Sequence, residues 1–327
     1  MKLKVTLVIF LLINSLASHS QSFIKIDAKK IMQSNNLDAA RPKFNYDNYK
    51  IEDYEKIKQE FKFLREETQI QFNYPQGNCH NRAELMSMYL KKHHISHFKI
   101  WNFAPSKFSL LNALMLEVKD NNDFAPTGVI KWGYHVAPTV LTKIHGKLDT
   151  VVLDPSLFAE PVNFKKWLAV QNCKESFYTF LNPDWYLFYT MNGLTVSDYE
   201  DYDLNCKKDI DMQLPGYLPK LMTGDFYSYN PTSKWLEKGM AINEMAYKFY
   251  LNELLPLKKD PTKQDLIKEY KTLFGSVNNI ESIMLGYESY CKIDKMLLEK
   301  HKALIEKYRK IFEDETNKWL ERTKDLY

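Results

Sequence analysis

Three residues far apart in the chain, Cys79, His135 and Asp154, are of the types that together make a thiol reactive. A cysteine attacks a carbonyl carbon as its thiolate, so it needs a base beside it, and the base needs a third group to orient its ring. Cys79 follows the turn formers Pro75, Gly77 and Asn78, and the apolar positions from Ala83 to Leu90 predict a helix to about Lys92. Cys79 then sits in the first helical turn, where unpaired backbone N–H groups and the positive end of the helix dipole favour a thiolate. Read alone, a cysteine in this amphipathic setting is more often a small core residue. His135 and Asp154 shift that balance. Residues 132–140 read as one strand carrying His135, and 148–154 as another that ends in Asp154, fixed by Pro155.

The elements that must hold these groups follow from periodicity. Tyr54, Ile57, Phe61 and Leu64 recur at helical spacing within 51–67, a helix that either packs on the core or belongs to a propeptide over the site. Further strands are predicted at 98–103 and 111–118, a turn at His145-Gly146-Lys147, and short helices near 28–32 and 163–170. The aromatic run from Trp185 to Tyr189 reads as core, with a substrate groove as its other use. A helix followed by antiparallel strands makes an α+β core. Beyond 214 the texture changes. One helix is predicted over 232–255, broken by Pro256, another from Pro261 to about Phe274, and one or two long helices over 280–326. The division predicted is a leader (1–20), an N-terminal helical segment (21–70), a catalytic unit (71–213), a linker (214–231) and an α-helical C-terminal region (232–327).

The leader is read from Lys2 and Lys4, the apolar run from Val5 to Ile13 and the small residues up to Ser20, which describe a secretory signal cleaved after Ser20, or after Ala17. The expected product is a soluble protein, secreted or periplasmic, without an integral membrane segment. The formal net charge of +4, which falls by two when the leader goes, is too small to argue for a nucleic-acid or anionic-membrane partner. An apolar content of 45% excludes a disordered chain. Four cysteines exclude a disulfide scaffold. With Cys79 reserved for chemistry, a Cys173–Cys206 bridge is the preferred pairing in an oxidising compartment, leaving Cys291 free.

Three blocks give the chain a family resemblance. Cys79-His80-Asn81-Arg82-Ala83-Glu84-Leu85-Met86, Trp132-Gly133-Tyr134-His135-Val136-Ala137 and Asp154-Pro155-Ser156-Leu157-Phe158 resemble, in order, the Cys-x-x-Arg-Ala-x-x-Met, Trp-x-Tyr-His-Val-Ala and Asp-Pro-Ser-Leu-Phe blocks of the bacterial protein-glutaminases. These are secreted enzymes that deamidate glutamine side chains in proteins. The resemblance spans about 71–189; the type member carries a tyrosine at the position of His80. It implies a papain- or transglutaminase-like core in which the helix bearing the cysteine packs on the sheet bearing histidine and aspartate. It also implies Cys79 as nucleophile, His135 as base, Asp154 as orienting acid, glutamine-bearing proteins or peptides as substrates, and no cofactor. The oxyanion donors would be the Cys79 backbone N–H first, with Trp132 and Tyr134 next. The same triad serves a transglutaminase, with a lysine amine in place of water, or a cysteine protease. A non-catalytic binding module, its C-terminal helices docking a partner, is the reading from a different class.

Local signals compete with this one. His93 and His97 stand four apart, but no His-Glu-x-x-His surrounds them and the helix ends there, so a polar helix end is preferred to a metal site. Ser156 lacks a Gly-x-Ser-x-Gly setting and reads as a cap on the turn after Asp154. Asp184 is the spare acid should Asp154 be misplaced.

Overall fold

The computed structural model describes residues 25–26, 44–107, 113–125, 127–191, 223–285 and 293–327. The leader, the helix expected near 28–32, Cys206 and Cys291 lie outside them. Among the described residues no helix is long and apolar enough to cross a membrane.

The chain combines helices with antiparallel sheet, as the α+β expectation required. Strands β1 (Lys25–Ile26) and β2 (Ile51–Glu52) precede helix α1 (Tyr54–Glu66), which Asp53 caps by accepting from the Lys56 N–H. Its buried residues Ile57, Phe61 and Leu64 are the predicted stripe. Helix α2 (Cys79–Lys92) begins at the cysteine itself and leads to strand β3 (Phe98–Phe103), at the predicted bounds.

One predicted strand proves to be two. Strands β4 (Leu116–Lys119) and β5 (Val129–Trp132) pair with each other in a separate ribbon, and after Gly133 the chain starts afresh as β6 (Tyr134–Ile144). In an unbroken strand residues 132 and 135 would point to opposite faces. The break lets their rings meet.

Strand β6 carries the β-branched residues Val136, Thr139, Val140, Thr142 and Ile144, and lies between β3 and β7 (Lys147–Val152). His145 and Gly146, at φ 51° and 77°, form the two-residue turn that joins β6 to β7. Strands β8 (Val162–Asn163) and β9 (Phe177–Leu181) complete the order β8-β7-β6-β3-β9, with β2 pairing parallel to β6. Between them Asn163 caps helix α3 (Phe164–Ala169). Both faces of this sheet are covered. Val140 and Val151 join the apolar cluster of α1 and α2, whereas Ala137, Leu141 and Val152 pack with Trp167 of α3. Strands β10 (Trp185–Met191) and β11 (Thr223–Ser228) form a second sheet with β1, and Trp185, Tyr186 and Phe188 are buried, the core reading of that run.

Helix α4 (Trp235–Phe249) widens into a π turn at Tyr250–Leu254 and ends at Leu257, one residue past Pro256. A proline ring collides with the carbonyl four residues back in a regular helix, and the widened turn relieves that clash without ending the helix before the proline. Helices α5 (Gln264–Phe274), α6 (Val277–Leu285), α7 (Lys295–Lys300) and α8 (Lys302–Thr323) follow. Leu236, Met240, Met245, Ile283, Tyr308 and Trp319 belong to the same apolar cluster as Leu85 and Met86 of α2. The C-terminal helices and the helix bearing Cys79 therefore share one core.

Candidate active site

The chain enters α2 through Asn78, held in the left-handed region at φ 57° and ψ 29°. Asparagine tolerates that region better than other residues with a β-carbon. Its side chain caps none of the helix N–H groups; it accepts instead from Asn81 Nδ2 at 3.1 Å and donates to Asn243 Oδ1 at 3.3 Å. The loop before it is pinned as well. Trp132 Nε1 donates to the Pro75 carbonyl at 3.0 Å, Gln76 Nε2 to Asp120 at 3.1 Å, and the buried Arg82 to the Tyr74 carbonyl at 3.2 Å.

The structure brings Cys79, His135 and Asp154 together. All three are buried, with His135 only 1% exposed. His135 Nε2 lies 2.8 Å from Asp154 Oδ2. Trp167 Nε1 donates to that same oxygen at 2.8 Å, and the backbone N–H and hydroxyl of Ser156 both donate to Oδ1. The cap assigned to Ser156 is thus a brace on the aspartate. The imidazole is held between two indoles, stacked at 4.3 Å on Trp132 and at 5.3 Å on Trp167, within 11° and 18° of parallel. Among the described residues its Nδ1 has no hydrogen-bond partner, and the Cys79 sulfur interacts electrostatically with the ring.

The charges reinforce the geometry. Burial alone would push the Cys79 thiol up, but the neighbouring imidazoles of His135 and His80 bring it down to about 6. Burial would depress His135; the Asp154 carboxylate first, then the Cys79 sulfur, hold it up at about 9. Burial opposes ionisation of Asp154 too, yet the facing imidazolium and the donors from His135, Ser156 and Trp167 keep it at about 2. Both shifts favour the charged forms, a thiolate beside an imidazolium, and a thiolate is the reactive form of a cysteine. The sign of the pH dependence follows. The Cys79 thiolate forms as pH rises through about 6, and the proton on His135 is lost as it rises through about 9. Carbamidomethylation of Cys79, followed by peptide mass spectrometry, is expected to climb near pH 6; a midpoint near the ordinary thiol value would contradict the pairing.

Other predicted residues serve differently. The indole N–H of Trp132 is committed to Pro75, so Trp132 is a stacking wall for His135 and not an oxyanion donor. The Tyr134 hydroxyl faces His80 Nδ1 at 3.3 Å, and its carbonyl lies 3.8 Å from the Cys79 sulfur. Asp184, exposed, pairs with Lys91 at 2.8 Å. His93 binds Glu60 at 2.8 Å and the buried His97 binds the Ile95 carbonyl at 2.9 Å, so the two do not converge. Cys173 carries a free thiol, while its predicted partner Cys206 lies outside the described residues. Sequence reasoning missed Trp167, whose only signal was an aromatic in a short helix after Asp154, and the second imidazole, His80, which adjoins Cys79 in the motif itself.

The comparisons with known proteins bear on this centre. A family model described as glutaminase matches residues 54–171. That segment is similar to the glutaminase family. All three sequence blocks lie inside it, so the resemblance to the protein-glutaminases is borne out. The crystal structure of protein-glutaminase aligns with 62% of this chain and 89% of its own, at 18% identity and a TM-score of 0.37. The NMR structure of protein-glutaminase from Chryseobacterium proteolyticum aligns over 62% and 89%, at 20% identity and 0.36. The crystal structure of pro-protein-glutaminase aligns over 65% and 62%, at 18% and 0.38. None of the curated proteins matches the chain.

Proposed function

We propose that the protein is a secreted protein-glutamine deamidase with a papain- or transglutaminase-like core, working through a thioester on Cys79. The observation that carries the reading is His135, bound by Asp154 at one nitrogen, walled by two indoles and set close enough to the buried Cys79 thiol for the two to shift each other's ionisation. The match of residues 54–171 to the glutaminases supports the carboxamide as the group attacked. The Cys79 thiolate adds to the carboxamide carbon of a glutamine side chain, and the imidazolium of His135 gives its proton to the departing ammonia. Water, deprotonated by His135, then opens the thioester to glutamate and restores the thiolate. The tetrahedral oxyanion takes the uncapped N–H of Cys79 as its first donor. Substrates are proteins or peptides presenting glutamine. No metal or organic cofactor enters these steps.

Incubation with casein and a labelled amine tests the assignment. Ammonia without incorporated label, and a product heavier by about one mass unit with no backbone cut, are expected. Covalent label would assign a transglutaminase and cleaved backbone a protease. Asp154→Ala is expected to lower kcat by roughly 10²–10⁴-fold, less than loss of His135, because both indoles still hold the ring. Ammonia release followed at saturating casein measures it, and an Asp154→Ala chain as inactive as His135→Ala would show that the indoles do not position the imidazole.

A further inference from the structure

Several contacts from the C-terminal helices converge on the loop and first turn that carry Cys79. Asn243 of α4, fully buried, accepts from Asn78 Nδ2 at 3.3 Å. One turn earlier on the same face of α4, Gly239 lies so close to Asn81 that a β-carbon there would collide with its carboxamide. Asn81 in turn donates to Asn78 and accepts from the Tyr186 hydroxyl. Val277 of α6 leaves no room for a side chain at Gly77. Lys258 donates to the Asn122 and Asp123 carbonyls, and Lys271 to the Asp123 carboxylate, bracing the loop whose Asp120 holds Gln76.

These contacts differ from ordinary helix packing in one respect. Apolar packing of α4 on α2 needs no polar link, yet buried carboxamides run from Asn243 through Asn78 to Asn81. The residue they fix is the one in the left-handed region, and its ψ aims the peptide plane containing the Cys79 N–H.

We infer that Asn243 is a positioning residue of the active site, holding Asn78 in the left-handed region so that the Cys79 N–H is aimed at the reacting oxygen. The C-terminal helices are then a working part of the catalytic centre. This rests on the deamidase reading, since the oxygen meant is that of the carboxamide under attack.

A double-mutant cycle in the full chain tests it, with kcat and KM for ammonia release from casein and the pH midpoint of Cys79 carbamidomethylation as readouts. Asn243→Ala is expected to lower kcat about tenfold with KM unchanged, and to raise the alkylation midpoint by about one pH unit. Glycine holds the left-handed region without help. In the Asn78→Gly chain, whatever its own kcat, adding Asn243→Ala is therefore expected to change kcat and midpoint by less than about twofold and about 0.3 units. Equal losses in both backgrounds, or a wild-type kcat and midpoint in Asn243→Ala, would overturn the inference. Where Asn243→Ala does not fold, Asn243→Ser takes its place with the same expectations. If the wild-type chain releases no ammonia, the deamidase reading fails, and the alkylation midpoints alone decide whether Asn243 acts through Asn78.

Discussion

Replacing Cys79 with alanine is expected to remove ammonia release from casein by at least about 10⁴-fold and leave the protein folded. The thiol is 7% exposed and packs with Ala83, Trp101 and Val136, so its loss vacates about one heavy atom from a well-filled region. Such a deletion costs on the order of 1 kcal/mol, small beside the stability of a domain. Without the sulfur, His135 keeps its bond to Asp154 and both indoles but has nothing to activate. Ammonia release at saturating substrate and the thermal midpoint measure the two halves. A variant that still deamidates would remove Cys79 from the chemistry and, with it, the thioester.

The largest effect on stability is expected from Lys99→Met. Lys99 of β3 is 1% exposed, and its ammonium donates both to Glu84 on the helix of Cys79 and to the Trp185 carbonyl of β10, the latter at 2.9 Å. Burial presses this lysine towards its neutral form, and the Glu84 carboxylate opposes that pressure. Methionine fills the space but strands a buried carboxylate, a loss of about 3–5 kcal/mol. Adding Glu84→Leu should restore most of it, since a well-packed apolar pair replaces a buried ion pair at little cost. Chemical denaturation of the single and double variants provides the comparison. A single-variant loss below about 1 kcal/mol would show that water reaches Glu84 once Lys99 is gone.

How much of this was legible in the sequence depended on range. The helix from Cys79, the strand at 98–103 and the turn at His145-Gly146 are written locally, in apolar spacing and turn chemistry, and the structure places them where the spacing puts them. The convergence of Cys79, His135 and Asp154 was readable only as residue type and order. The break at Gly133 was not readable, because β-branched and aromatic residues continue across it, and so the stacking of Trp132 on His135 was hidden. Trp167 and Asn243 were invisible for another reason. Each meets its partner through the folded backbone of a separate helix, and no periodicity records such a meeting.

The glycine at position 239 limits where the chain can be shortened. With no β-carbon it lets a late helix nestle against the turn that presents the thiol, so two distant stretches of chain are fitted to each other. Cutting away the late helices would bare Asn78, Asn81 and the apolar face of the helix that starts at Cys79 all at once, so the front portion cannot simply be trimmed free of them.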